Sequence, residues 1–417
     1  MTTIQSPRGT RDILPEDQPV WQYVKDTASH VAKSLGFQPI TTPTYEYRSL
    51  FERAIGEGTD VMDKELFLVK GRAADASEDE TYALRPEGTA GIVRAFIEHG
   101  MHTLPQPVKL NSFINCFRYD RPQKGRYREH VQFDIESFGE KGSFADALVI
   151  LATYKFLQKL GLKGLKLDLN SLGVVAERQA YQEALVASLQ EKKEALSKDS
   201  QTRLSTNPLR ILDSKDTSDQ ALLEDAPKLH DFFGTETLQH FQQVQAYLNA
   251  WNIPYEINQR LVRGLDYYSH TAFEWKIQNL GGQQSSLGGG GRYDGLLVQL
   301  GGKDIGAVGA GIGLDRVVEE MHRQGIYPSI DTSEDVVAVV AASKGSLSKA
   351  AELITTLLNE GKTVVANFDR ESIGTQLKLA DRSGAKHAYI IGDDELAAGE
   401  ATLKDLVTGE QSRVRLK

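Results

Sequence analysis

Between residues 336 and 391, strand-like and helix-like runs alternate at short intervals, and few folds accommodate that pattern. Residues 336–341 are apolar and rich in valine, 347–359 have helical spacing closed by Gly361, and 364–368 are strand-like again. A second helical run over 373–382 is closed by Gly384, and 388–391 form a third strand-like run. Strands that alternate with helices through short loops predict a small parallel or mixed sheet covered by helices. Thr408-Gly409-Glu410, between residues 403–407 and 414–416, predicts a closing hairpin. A boundary with the preceding chain is expected near residues 329–334.

The longer N-terminal part reads differently. A helix is expected to enter through Leu14-Pro15-Glu16-Asp17, because proline and acids suit a first helical turn. Val20, Val24, Val31 and Leu35 recur at helical spacing, with Gly36 as the stop. Val131, Phe133, Ile135 and Phe138 suggest half-buried strand, 145–160 a strong helix, and 166–169 a short strand. Residues 174–250 turn polar and helix-rich, as an inserted subdomain would. Strand patterning resumes at 255–257 and 272–275, and 306–321 read as a strand feeding a helix. The pattern predicts an α+β core interrupted by helices and followed by an α/β domain.

Composition narrows the function classes. With 40% hydrophobic and 25% charged residues, the chain is an ordinary globular protein. No run approaches the roughly 18 apolar residues a membrane helix needs. The first residues lack an apolar signal core, so a cytoplasmic protein is expected. The single cysteine, Cys116, excludes an internal disulfide, and no pair among nine histidines has metal-site spacing, so no Cys/His metal site is expected. A net charge of −9 argues against a general nucleic-acid coat but allows a local basic grip on one folded RNA.

Four segments can carry chemistry. Residues 117–128, Phe-Arg-Tyr-Asp-Arg-Pro-Gln-Lys-Gly-Arg-Tyr-Arg, pack five basic residues into a turn-forming loop. Such a loop is either a solvated surface or a phosphate grip, since arginine's fork donates parallel charge-assisted bonds. Just after it, Gln132, Asp134 and Glu136 share one face of a strand by period two, which suggests a lined pocket. Residues 261–271 combine Arg263 with Tyr267 and Tyr268, as a surface turn or as an apolar wall with polar tips. The glycines at 288–291, ahead of Arg292-Tyr293-Asp294, mark a flexible turn or a close backbone approach to a ligand. Those at 306, 309, 311 and 313 lead into Leu314-Asp315-Arg316, where tight helix–sheet packing is the simpler explanation.

In this order the segments resemble the class II aminoacyl-tRNA synthetases, and specifically the histidyl-tRNA synthetase family. The resemblance starts at Pro7-Arg8-Gly9-Thr10-Arg11-Asp12, passes a first class motif ending at Pro43, and includes Leu84-Arg85-Pro86-Glu87-Gly88-Thr89. The loop from Phe117 is similar to the second class motif and residues 309–316 to the third. Residues 261–268 resemble the signature of the histidine-specific branch. The resemblance implies a catalytic domain of antiparallel strands flanked by helices over 1–173 and 251–328. It also implies a helical insertion at 174–250, an α/β anticodon-binding domain at 334–417, and a homodimer. The implied reaction uses ATP and Mg²⁺ to activate histidine, then loads it onto tRNA(His).

The resemblance also implies roles. Arg118 and Arg263 would be catalytic, meeting the α-phosphate and the histidine carboxylate from two sides. Arg126, His130 and Arg316 would join Arg118 in binding ATP. Glu87, Thr89 and Gln132 would hold the histidine ammonium, Glu136 and Tyr268 the imidazole nitrogens, with Tyr267 and Tyr293 completing the pocket. Arg121 and Gln123 would meet the acceptor end of tRNA. His130 stands where the family usually has an aromatic ring to stack on adenine. Many members continue beyond the last hairpin into a final helix, which implies a trimmed anticodon domain. A non-catalytic regulatory relative of histidine biosynthesis shares this core, but such paralogues typically lose the arginines and the C-terminal domain. Another class II ligase would lack the histidine-branch signature, and a non-catalytic RNA-binding module would have no need of three arginines.

Overall fold

The computed structural model describes residues 3–56, 59, 61–70, 81–120, 126–263, 265, 267–278, 285–328, 336–369 and 372–416. The chain divides into two compact units, Met1–Pro328 and Ser329–Lys417.

The first unit opens with α1 (Gln18–Ser34), which begins three residues after the expected Pro15; residues 15–17 form a turn, and Pro19 occupies the first helical turn instead. Val20, Val24 and Val31 bury the apolar stripe, and Gly36 adopts φ +79°, a conformation that glycine reaches without strain, to end it. The chain continues through β1 (Gln38–Pro39), β2 (Tyr45–Tyr47), α2 (Arg48–Ile55), β3 (Leu68–Val69), β4 (Tyr82–Leu84) and α3 (Thr89–Glu98). The long antiparallel pair β5 (Val108–Phe117) and β6 (Glu129–Phe138) follows, in register from Val108 against Phe138 to Phe117 against Glu129. Next come α4 (Ser143–Lys159), β7 (Leu165–Ser171), α5 (Val175–Gln190), α6 (Lys198–Thr206), α7 (Thr217–Glu224), α8 (Thr235–Ala250) and β8 (Glu256–Ile257). The unit ends with β9 (Ser269–Ile277), β10 (Ser286–Arg292), α9 (Gly295–Gln299), β11 (Ala307–Gly313) and α10 (Leu314–Arg323).

Eight strands form one sheet in the order β1-β5-β6-β11-β10-β9-β7-β8. The six inner strands are antiparallel, as expected, while the short edges β1 and β8 pair parallel. The glycines at 288–291 lie inside β10, hydrogen-bonded on both sides, and are not a flexible turn.

Pleating sorts the two faces. Phe133, Ile135, Phe273, Trp275, Val308, Ala310 and Ile312 point into one core with α1, α4, α8 and α10. Gln132, Asp134 and Glu136 point the other way by period two. Phe138 shares their parity and stacks on Phe96 of α3 with ring centroids 4.5 Å apart, so its expected grouping with Phe133 and Ile135 is corrected. Helix α8, in the segment read as an insertion, places Phe241, Val244 and Leu248 in the first core. Helix α5 instead packs Tyr181, Leu185 and Leu189 on the second face.

The second unit is built from β12 (Val336–Ala341), α11 (Leu347–Asn359), β13 (Thr363–Ala366), α12 (Ile373–Arg382), β14 (His387–Ile391), α13 (Asp393–Ala398), β15 (Glu400–Asp405) and β16 (Gln411–Arg415). Its sheet runs β13-β12-β14-β15-β16, parallel across the first three strands and antiparallel thereafter. Val337 and Val339 pack on α11, and Ala338 and Val340 on α12, so helices cover both faces. The short helix α13 is an addition to the expected pattern. Among the described residues no helix is long and apolar enough to cross a membrane.

Candidate active site

The second face of the large sheet is only partly covered, and a cleft of about 610 Å³ opens over it. Its floor follows from strand parity. Gln132 rises from β6, Glu274 and Lys276 from β9, and Gly289, Gly311 and Gly313 leave space on β10 and β11. Glycine is needed here for room. A Cβ at Gly289 would stand 2.9 Å from Arg263 Nη1, and one at Gly291 would stand 2.9 Å from the Tyr268 ring. A Cβ at Gly309 would overlap the Glu136 carboxylate. What approaches Gly289 and Gly291 most closely is the backbone of β9, with the Phe273 and Thr271 carbonyl oxygens overlapping the places where a Cβ would stand, and the side chains come next.

Arg118, Arg263 and Arg316 line this one cleft, together with Arg126 and His130. Arg118 Nε donates to the Pro86 carbonyl at 2.8 Å, which fixes the stem of its side chain. Arg263 lies over the Tyr268 ring, its guanidinium carbon 5.6 Å from the centroid, with Nη1 4.0 Å from Glu274. Arg316 Nη1 donates to the Ser286 carbonyl at 2.7 Å. Burial, and then the neighbouring Arg126 and Arg118, make the Arg316 charge costly to hold. An incoming polyanion would relieve that cost. Arg126 pairs with Asp120 and lies 3.5 Å from Glu65. Burial, then Arg118 and Arg316, hold the His130 imidazole down at about 3. The ring is therefore neutral at physiological pH and suited to stacking.

Beside the arginines, on the same face of the sheet, acids and phenols gather in a buried recess. Glu136 is fully buried and accepts from Thr89 Oγ1 at 2.7 Å and from the Tyr293 hydroxyl. Tyr267 stands 4.6 Å from Tyr268 and 5.6 Å from Tyr293, centroid to centroid. Glu87 caps the start of α3, accepting from the Thr89 and Ala90 amides at 2.8 and 2.9 Å. Burial pushes the Glu87 carboxyl up, against those N–H bonds and the Arg118 charge. Burial pushes Glu136 well up, although Thr89 and Tyr293 oppose it. Among the described residues neither Glu87 nor Glu136 has a salt-bridge partner, and buried acids gathered in this way favour a positively charged ligand.

The structure thus brings Glu87, Thr89, Arg118, Arg126, His130, Gln132, Glu136, Arg263, Tyr267, Tyr268, Tyr293 and Arg316 to one side of the sheet. Arg121 and Gln123 lie outside the described residues, as do Gly264 and Asp266 of the tyrosine segment. Cys116 is buried, 3.4 Å from Gln132 Oε1. Sequence reasoning left several supporting residues without a role. Arg85 donates to the Thr42 and Pro43 carbonyls at 2.9 and 3.1 Å, tying the end of the first motif to β4. Arg11 pairs with Asp315 at 2.7 Å, and Asp315 accepts from the Val131 amide at 2.7 Å, pinning the N-terminal segment across β6 and α10. Glu274 and Lys276 could have been read from period two on β9.

An antiparallel sheet that carries three arginines above a recess of acids and tyrosines is the catalytic core of a class II aminoacyl-tRNA synthetase. A family model for histidyl-tRNA synthetase matches residues 9–317, and one for an anticodon binding domain matches residues 336–417. The chain belongs to the histidyl-tRNA synthetase family. It is 42% identical over 412 residues to a histidine–tRNA ligase of Dehalococcoides mccartyi, covering 99% of this chain and 97% of that protein. It is 44% identical over 416 residues to one from a Marinomonas species, covering 98% and 95%. The apo histidyl-tRNA synthetase of S. aureus superposes with a TM-score of 0.80 at 35% identity, covering 99% of this chain and 97% of that one.

Proposed function

We propose that this cleft carries out the family's reaction, histidine–tRNA ligation, with the residues described above in distinct roles. A histidine carboxylate oxygen attacks the α-phosphorus of ATP and the bond to pyrophosphate breaks; a ribose hydroxyl of the 3′-terminal adenosine of tRNA(His) then attacks the carbonyl carbon of the adenylate, loses its proton and forms the ester as AMP leaves. Two anions must meet, so cations that gain strength as charge builds up lower the barrier. The convergence of Arg118, Arg263 and Arg316 on one cleft carries this reading. Arg118 bridges carboxylate and α-phosphate, and Arg263 reaches the α-phosphate from across the cleft. Arg316, with Arg126, receives the outer phosphates, and His130 stacks on adenine.

Histidine occupies the recess. Glu87, Thr89 and Gln132 take its ammonium, Glu136 and Tyr268 its two ring nitrogens, and Tyr267 and Tyr293 wall the ring. A recess that hydrogen-bonds both nitrogens rejects apolar analogues by about 10⁴-fold, because mismatches strand buried polar groups. Among the described residues no three His, Cys, Asp or Glu side chains gather as a metal site. Glu274, beside Lys276 and Arg263, is one of the acids that line the cleft, with Asp120, Asp213 and Asp315. Mg²⁺ would enter with the nucleotide, Glu274 being an acid available to it, and would neutralise charge on the leaving pyrophosphate.

Arg121 and Gln123 meet the acceptor end of the tRNA, and residues 334–417 read its anticodon. The division into a catalytic domain of 1–173 and 251–328 with an insertion at 174–250, the homodimer and the cytoplasmic location belong to the same reading. ATP–pyrophosphate exchange with each of the twenty amino acids, in Mg²⁺ and without tRNA, tests it. Histidine alone should support exchange. Exchange with another amino acid would overturn the recess assignment, and none from folded protein would overturn catalysis.

A further inference from the structure

Asp134 lies at the middle of β6, between Gln132 and Glu136 on the face that floors the cleft. It is 2% exposed, and among the described residues neither carboxylate oxygen has a hydrogen-bond partner. The nearby cations are turned elsewhere. Arg85 donates to the carbonyls of Asn115, Thr42 and Pro43, and Arg118 Nε to that of Pro86. Two glycines make room for the side chain. A Cβ on Gly88 would overlap Asp134 Oδ2, and one on Gly311 would stand 2.8 Å from Oδ1 and 3.3 Å from Gln132 Oε1. A carboxylate buried with no partner is costly, and an apolar residue of similar size would be more stable there. An acid kept at such a position, beside Glu87 and Gln132, is placed for a charge the ligand brings.

We propose that Asp134 is a further substrate-binding residue, an acceptor for the α-ammonium of the bound amino acid. The proposal rests on the reading of the recess as the histidine site. The ammonium has three N–H donors, and Glu87 already spends acceptor capacity on the amides of Thr89 and Ala90. Asp134 supplies both of its oxygens unspent. In the empty protein, burial and then the Glu87 charge hold its proton up to about 8, although Arg85 and Arg118 oppose this. The groups facing it are Glu87 ahead of α3, Glu136 on its own strand, Cys116 on β5, and Arg85 and Arg118. Ligand ammonium would replace that proton, so binding near neutral pH releases it.

The test is calorimetric titration of the full chain with L-histidine and with imidazole-4-propionate, which keeps the ring and carboxylate but lacks the ammonium. For Asp134→Asn, histidine affinity should fall by about 10- to 150-fold, the range for a hydrogen bond to a charged group. Imidazole-4-propionate affinity should hold within about threefold. In steady state, KM for histidine should rise with kcat and KM for ATP little changed. Equal losses for both ligands would mark Asp134 as structural and overturn the proposal. Proton release gives a second readout. At pH 7, in two buffers of different ionisation enthalpy, histidine binding should release more protons from the wild type than from Asp134→Asn. Equal release would overturn the proposal as well. Failure of the wild type to bind histidine at all would overturn the reading of the recess itself.

Discussion

Arg263 and Glu136 border the same substrate, and their loss should register in different constants. Arg263 faces charge that grows during the attack on phosphorus. Arg263→Ala is expected to slow histidine-dependent exchange by about 10²- to 10³-fold, the usual effect of one lost transition-state donor. Histidine affinity from equilibrium titration should change far less, and near-normal exchange would remove Arg263 from the mechanism. Glu136 acts on the ground state. Glu136→Gln replaces a charged acceptor by a weaker amide and should weaken histidine binding by about tenfold while loosening selectivity against ring analogues. Unchanged affinity would count against the role. Both residues could be picked out from the sequence, one within a branch signature and the other by strand parity. Asp134 shared that parity, yet its lack of a hydrogen-bond partner among the described residues is a fact about β5, β11 and the turn before α3, which no local pattern contains.

At the scale of elements, the recess depends on how β10 ends. Arg292, the last residue of β10, is fully buried and pairs with Asp146 of α4, with Asp294 at 2.9 Å, and with the Glu140 and Gly142 carbonyls at 3.0 and 2.9 Å. The next residue is Tyr293, whose hydroxyl meets Glu136. The ion pair therefore fixes the strand end that aims a pocket residue. Arg292→Met would leave Asp146 buried without its guanidinium partner, with only His240 at 3.5 Å beside it, and should cost about 3–5 kcal/mol in urea unfolding. A loss under 1 kcal/mol would show that the pair is not what anchors β10. The pH dependence has a definite sign. Burial alone would raise the Asp146 carboxyl, but Arg292 and then His240 outweigh it and hold the group at about 2. The native state thus binds this proton more weakly than the unfolded chain does. Its stabilisation is present above the ordinary aspartate range near 4 and is lost as pH falls toward 2. The wild type should lose more stability than Arg292→Met over that window. Parallel curves would show that the pair does not govern acid sensitivity.

For the whole molecule, the two compact units predict separable functions. Each has its own core, with Val337, Val339 and Leu357 in the second and Phe133, Trp275 and Val308 in the first. A chain ended after Pro328 is expected to remain folded and to retain histidine-dependent exchange. Its charging of tRNA(His) should drop by at least about tenfold, the equivalent of 1.4 kcal/mol of lost RNA contact. Charging at the wild-type rate would remove residues 336–416 from tRNA recognition. Loss of exchange would mean that the catalytic unit depends on the C-terminal one.

Periodicity and punctuation are local properties, and the sequence alone therefore determined the alternating C-terminal unit, the helical run from 174 to 250, and the parity that turns Gln132, Asp134 and Glu136 away from Phe133 and Ile135. The arginine loop, the tyrosine segment and the small-residue strand carried the chemistry in their order along the chain. Tertiary structure decided where helix α1 begins, that residues 288–291 are an inner strand, and that Phe138 belongs to the cleft side. Each of these depends on a partner distant in sequence: α4 and α10 against α1, β9 and β11 on either side of β10, and Phe96 against Phe138. The recess belongs to the same class. Its acids come from β6 and the turn before α3, its phenols from the segment before β9 and the end of β10, and only the sheet's hydrogen-bond register brings them together.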